Sequence, residues 1–175
     1  GSLARERRLR DVVSCAGEDD GQVDGVDGLD ACLRPPGSVD ELELDLELHV
    51  QLDLERADGL RDDDHELRAG PTLTAVADAP VDSDAPDVNE GTGTTLRVRG
   101  GSQAKLTYLR FEVSGLSRAP SSAKLRLYVK DASEGTLEVQ RVTGSWSEST
   151  ITWENAPAPS GAVVASGRAA GGWIL

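Results

Sequence analysis

The sequence predicts an all-β protein: an antiparallel β-sandwich or jelly roll, preceded by an acidic segment of low order. Three observations carry this expectation. From residue 72 onward, short runs of alternating apolar and polar residues recur between Gly, Pro and Ser turns. Every aromatic residue (Tyr108, Phe111, Tyr128, Trp146, Trp153 and Trp173) falls in that part. The net charge of −13 is unevenly shared: residues 1–70 hold 8 Arg, no Lys and 20 Asp/Glu (net −12), whereas residues 71–175 hold 10 Lys/Arg and 11 Asp/Glu (net −1). This divides the chain into an acidic segment, 1–70, and a domain, 71–175. Acidity of that strength argues against nucleic acid or an anionic membrane as a partner. No apolar run is long enough to span a bilayer, and no apolar stretch follows the Arg-rich start as it would in a signal peptide.

The first segment offers several motifs that fail on inspection. Residues 3–13 (LARERRLRDVV) have helical spacing but a thin apolar face. The Gly/Asp-rich residues 16–30, set against EF-hand spacing from Asp20, put Ala31 where a bidentate Glu must sit. Cys15, Cys32, His49 and His65 are about sixteen residues apart, whereas structural zinc ligands come in close pairs. Stray thiols or one disulfide is the plainer reading. Residues 40–56 (DELELDLELHVQLDLER) alternate leucine with acid, which formally predicts one long amphipathic strand, although a lone strand needs a partner. Residues 1–70 also lack Lys, Ile, Asn, Thr, Met, Phe, Tyr and Trp. That restricted alphabet is what GC-rich codons supply, so the expectation is a disordered extension or a misread frame.

From residue 72 each element has its own justification. TLTAVA at 72–77 is β-branched and apolar, and 78–93 (DAPVDSDAPDVNEGTG) is rich in turn formers and is expected to be a loop. Strands follow at 94–98, 104–113, 122–130, 135–142, 150–154, 162–166 and 173–175. Leu96/Val98, Leu109/Phe111/Val113, Leu125/Leu127/Val129 and Leu137/Val139 alternate towards a core. Arg97/Arg99, Tyr108/Arg110/Glu112, Arg126/Tyr128/Lys130 and Glu138/Gln140 alternate away from it. Trp146 and Trp153, separated by a Ser/Glu turn, are expected to anchor the core, with Trp153 the more buried of the two.

Four linked stretches, ADAPVDSDAPDVNEGTGTTLRV, KLTYLRFEVSGL, SSAKLRLYV and VQRVTGSWSESTITWENAP, resemble the DNRLRE domain over residues 72–175. The resemblance implies a non-catalytic β-sandwich module of secreted bacterial or archaeal proteins, some members binding acidic polysaccharides such as alginate. Because the family pattern continues for further strands, the sandwich is expected to be incomplete, cut short at its C-terminus.

Residues 71–175 contain neither His nor Cys, which removes Ser/His/Asp and Cys/His nucleophile systems from that part. The function the resemblance implies is carbohydrate binding without catalysis, in an extracellular or cell-surface protein, as part of a larger polysaccharide-active enzyme or surface protein. The candidate ligand-binding residues are Arg97, Arg99, Tyr108, Arg126, Tyr128 and Lys130. Arginine grips carboxylates bidentately and tyrosine offers a flat face to a sugar ring, which suits an acidic polysaccharide. An ordinary polar face, and with it a structural spacer or adhesion domain, is the alternative. Arg110 could instead be a structural arginine paired with Glu112 or a loop Asp. Asp78, Asp84 and Asn89 are candidate calcium ligands, since calcium takes hard oxygen donors from loops, with Asx-turn chemistry beside Pro80 and Pro86 as the plainer account. The sequence specifies no oligomeric state.

Overall fold

The computed structural model describes residues 29–35, 44–55, 69–114, 122–130, 135–168 and 172–174. The expected helix at 3–13, most of the Gly/Asp-rich segment, Cys15 and His65 lie outside them. The described elements are ten strands: β1 Leu29–Arg34, β2 Leu44–Glu55, β3 Ala69–Thr74, β4 Ala77–Asp82, β5 Thr95–Val98, β6 Lys105–Phe111, β7 Ser122–Val129, β8 Thr136–Arg141, β9 Ser160–Arg168 and β10 Gly172–Ile174. Every pairing between them is antiparallel. One sheet runs β4-β6-β1-β8-β9; the other runs β10-β7-β2-β3, with β5 also paired to β2.

The two sheets pack face to face on residues that alternation assigns to the core, joined by Leu33 of β1, which it did not assign there. Leu33, Leu109, Phe111 and Leu137 from the first sheet meet Leu96, Val98, Leu127 and Val129 from the second, all 3% exposed or less. This is the sandwich the period-2 pattern predicts.

A second apolar cluster lies on the opposite surface of the first sheet. Cys32, Ala79, Val81 and Tyr108 are covered there by Val142, Trp146 and Ile151, with Trp153 and Ala156 at the margin. The covering segment is not a strand. Residues 150–154, expected to extend, are turned: the N–H groups of Thr150 and Ile151 both donate to Ser147 O. Asn155 holds the next turn, accepting from Thr152 N at 2.8 Å and donating to Thr150 O at 2.9 Å. Local side-chain hydrogen bonding here outcompetes the strand propensity of Thr-Ile-Thr-Trp. The tryptophans exchange their expected roles. Trp146 is 8% exposed and central, whereas Trp153 is only partly buried at the edge of the cluster.

Two further expectations change. β4 forms inside the supposed loop, on the edge of its sheet, where Pro80 is tolerated because an edge strand has one row of N–H groups without a ladder partner. Leu29–Arg34 and Leu44–Glu55, expected to be of low order, are strands inside the two sheets. β1 lies between β6 and β8 and buries Cys32 and Leu33 completely. In β2 the leucines fall on the register of core residues, Leu44 with Val98, Leu46 with Leu96 and Val129, and Leu52 with Leu125. The partner that a lone amphipathic strand lacks is supplied by β5 and β7.

Candidate functional site

Tyr108 and Arg110 alternate to the outer surface of the first sheet, as expected, but that surface is covered. Tyr108 is 1% exposed, its hydroxyl donates to Pro157 O at 2.7 Å, and its ring meets Trp146 at a centroid distance of 5.8 Å and a 60° tilt. It is therefore a packing residue beneath the 143–157 segment and presents no ring to a sugar. Arg110 is structural as well. Its Nε and Nη2 donate to the two carboxylate oxygens of Asp30 at 2.8 and 3.0 Å, Nη2 also reaches Trp146 O at 3.0 Å, and the guanidinium lies 4.6 Å from the Trp146 ring centroid. Cys32, beneath the same cover, has its thiol pushed up to about 12 by burial, so it stays protonated and inert.

The remaining five candidates gather on the second sheet. Arg97 lies on β5 with Arg99 just after it, Arg126 and Tyr128 lie on β7, and Lys130 follows directly. Arg97, Arg99, Arg126 and Tyr128 are half-buried and Lys130 is exposed. β2 runs between the two strands, so Arg97, the partner of Asp45, and Tyr128, the partner of Glu47, sit roughly 12 Å apart, two strand spacings across and two residues along. Arg97 is fixed in place by its backbone, since its carbonyl accepts from Thr107 Oγ1 at 2.7 Å. Arg97, Arg99, Arg126 and Tyr128 each have interaction partners.

The three expected calcium ligands separate. Asp84 lies beyond the far end of β4, where its N–H donates to Asp82 Oδ1 at 2.9 Å and its carboxylate accepts from Gln103 at 2.6 Å. Beside it Asp82 is paired with Lys105 at 2.8 Å, which helps hold its carboxyl below the usual range. Asp78 and Asn89 instead converge on Glu148. Asp78 N–H donates to Glu148 Oε1 at 3.4 Å, and the Asn89 amide donates to Glu148 O at 2.8 Å and Ile151 O at 2.7 Å. Asp78 is 9% exposed, and burial, reinforced by the Glu148 charge, pushes its carboxyl up to about 6. Among the described residues no group of three or more His, Cys, Asp or Glu is gathered for a metal ion.

Sequence reasoning missed Asp30 and Glu148 as partners of Arg110 and Asp78, and no local signal marks them, because each acts across a long stretch of chain. With this geometry, the decisive comparison is with known families: the profile of carbohydrate-binding module family 96 matches residues 70–172, well over half of the chain. The chain belongs to this family. No curated protein and no solved structure matches it. Carbohydrate-binding modules are non-catalytic units, which accords with a surface of arginines and a tyrosine rather than a nucleophile and base. Among the described residues, no helix of this family 96 module is long and apolar enough to cross a membrane.

Proposed function

We propose that the module binds an acidic polysaccharide on the outer surface of its second sheet, outside the cell or at its surface, as the binding part of a larger polysaccharide-active protein. The observation that carries this reading is the collection of Arg97, Arg99, Arg126, Tyr128 and Lys130 on and beside two strands of one sheet. Guanidinium groups there match uronate carboxylates bidentately, and a half-buried tyrosine gives a rigid, amphipathic contact for a pyranose ring. The DNRLRE-like motifs point to the same class of sugar. A structural spacer or adhesion role has one observation in its favour: Arg97, Arg99, Arg126 and Tyr128 already have interaction partners within the protein.

Affinity electrophoresis and calorimetry with alginate, pectate and neutral glycans separate the two. Acidic glycans should bind, neutral ones poorly, and binding should weaken as salt rises, because exposed charges are screened beyond about 8–10 Å. Arg97→Ala with Arg126→Ala should lower affinity while the module stays folded. A folded module that ignores every acidic glycan would establish the spacer reading instead.

A further inference from the structure

β4 belongs to the first sheet and β5 to the second, and the start of β6 joins them at one corner of the sandwich. There Lys105 is the register partner of Asp82, and its backbone exchanges hydrogen bonds with that of Arg99 at 2.9 and 3.0 Å. Two residues along β6, the buried Thr107 hydroxyl donates to Arg97 O at 2.7 Å. Both carboxylate oxygens of Asp82 are engaged, Oδ2 with Lys105 Nζ at 2.8 Å and Oδ1 with Asp84 N–H at 2.9 Å. Burial works against the charge of this carboxylate. The two bonds and the charges of Lys105 and Arg97 outweigh it and hold the group below the usual range. Arg97 thus acts on Asp82 as a charge, from outside the two bonds, and has interaction partners of its own. The Lys105 and Asp82 side chains are 12% and 11% exposed, too little to serve as glycan contacts themselves.

We infer that Lys105 is a positioning residue for the glycan surface: by holding Asp82, it keeps that acid from drawing the Arg97 side chain inward. The inference rests on the acidic-polysaccharide reading, in which Arg97 meets a uronate carboxylate. Removing one member of a buried ion pair leaves the other charge uncompensated, which is strongly unfavourable. Without Lys105, Asp82 would therefore recruit the other cation whose charge already reaches it, Arg97. The Arg97 backbone, held by Thr107, need not move for this; side-chain torsions suffice. A guanidinium turned to an internal carboxylate is no longer aimed at an arriving one. Lys105 thus acts on the ligand through Arg97, from a position the ligand does not touch.

The test uses the full chain with alginate as probe, with binding followed by calorimetry and folding by thermal melts. Lys105→Gln should weaken binding about 1.5- to 5-fold, as Arg97→Ala should, the range for losing one charge contact near a surface. Lys105→Arg keeps a cation on Asp82 and should bind as wild type does. Asp82→Asn combined with Lys105→Gln removes the acid as well, so binding should return to the wild-type level. Loss of a merely structural lysine would not be rescued in this way. If Arg97→Ala weakens binding but a folded Lys105→Gln does not, the inference fails and the acidic-glycan reading stands. The same holds if the double variant stays as weak as Lys105→Gln. If no form binds an acidic glycan, both fall. Should Lys105→Gln fail to fold, Asp82→Asn decides: with the acid neutral it should bind at least as tightly as wild type, and weaker binding overturns the inference. A thermal cycle reads the same exchange without glycan. Arg97→Gln should lower the melting temperature more in Lys105→Gln than in wild type, and equal shifts overturn the inference.

Discussion

Asp30 and Arg110 are register partners on β1 and β6, and their side chains repeat the pairing with two parallel hydrogen bonds at 2.8 and 3.0 Å. The ion pair raises the guanidinium's affinity for its proton, and the same side chain lies over Trp146 and reaches its carbonyl. One arginine thus ties a strand of the acidic N-terminal region to the segment that covers the first sheet. Lysine cannot reproduce this fork. Arg110→Lys should cost about 1–3 kcal/mol, the range for losing charge-assisted hydrogen bonds at a partly buried site. Urea denaturation measures it, and an unchanged midpoint would show that the pair contributes nothing.

The tryptophans make a contrasting pair. Trp146 is buried against Tyr108 and Arg110, so Trp146→Ala should cost about 3–5 kcal/mol. Trp153, at the edge of the cluster, should cost clearly less. Trp146→Phe should be milder than Trp146→Ala, because the ring contacts persist and the buried indole Nε1 has no hydrogen-bond partner to lose. Thermal melts of the three variants would rank them, and equal losses from the two alanine changes would contradict the packing.

Gly91 and Asn89 hold the 83–93 loop against the cover. A Cβ on Gly91 would lie 2.0 Å from Glu148 O and 2.8 Å from Glu148 C, both backbone atoms with little freedom to yield. Gly91→Ala should therefore cost about 1–3 kcal/mol through forced displacement. Asn89→Ala leaves two carbonyls without their donor and should cost a similar amount, roughly 1–3 kcal/mol. Both variants should expose the 147–154 turn to limited proteolysis, and intact resistance would argue against the contact.

Asp78 gives a pH dependence of unusual sign. Its folded value, about 6, is above the ordinary 3.8, so the folded state holds the proton more tightly than the unfolded state. Its contribution is fully present below about pH 4 and is lost as pH rises through about 6, a change of roughly 3 kcal/mol at most. Asp78→Asn should flatten this part of the stability profile and raise the melting temperature at pH 7. A profile between pH 4 and 7 that is the same with and without the substitution would show that Asp78 is not the group responsible.

Sequence alone determined the class of fold and the facing of its central strands. Leu96, Val98, Leu109, Phe111, Leu127, Val129 and Leu137 reach the core as alternation requires, because strand geometry ties side-chain facing to a period of two without reference to any other element. That local rule also assigned Arg97, Arg126 and Tyr128 to the other face of their strands. It could not say what covers a surface. Tyr108 obeys the same alternation but is buried, since the turned 147–156 segment folds over it from almost forty residues away. Nor could it find partners: β1 and β2 looked like an acidic extension, and only pairing with β6, β8, β5 and β7 makes them strands. Asp30 with Arg110 and Asp78 with Glu148 were decided by tertiary structure for one physical reason. Charge and burial act between groups that the fold brings together, and their spacing in the chain carries almost no record of that meeting.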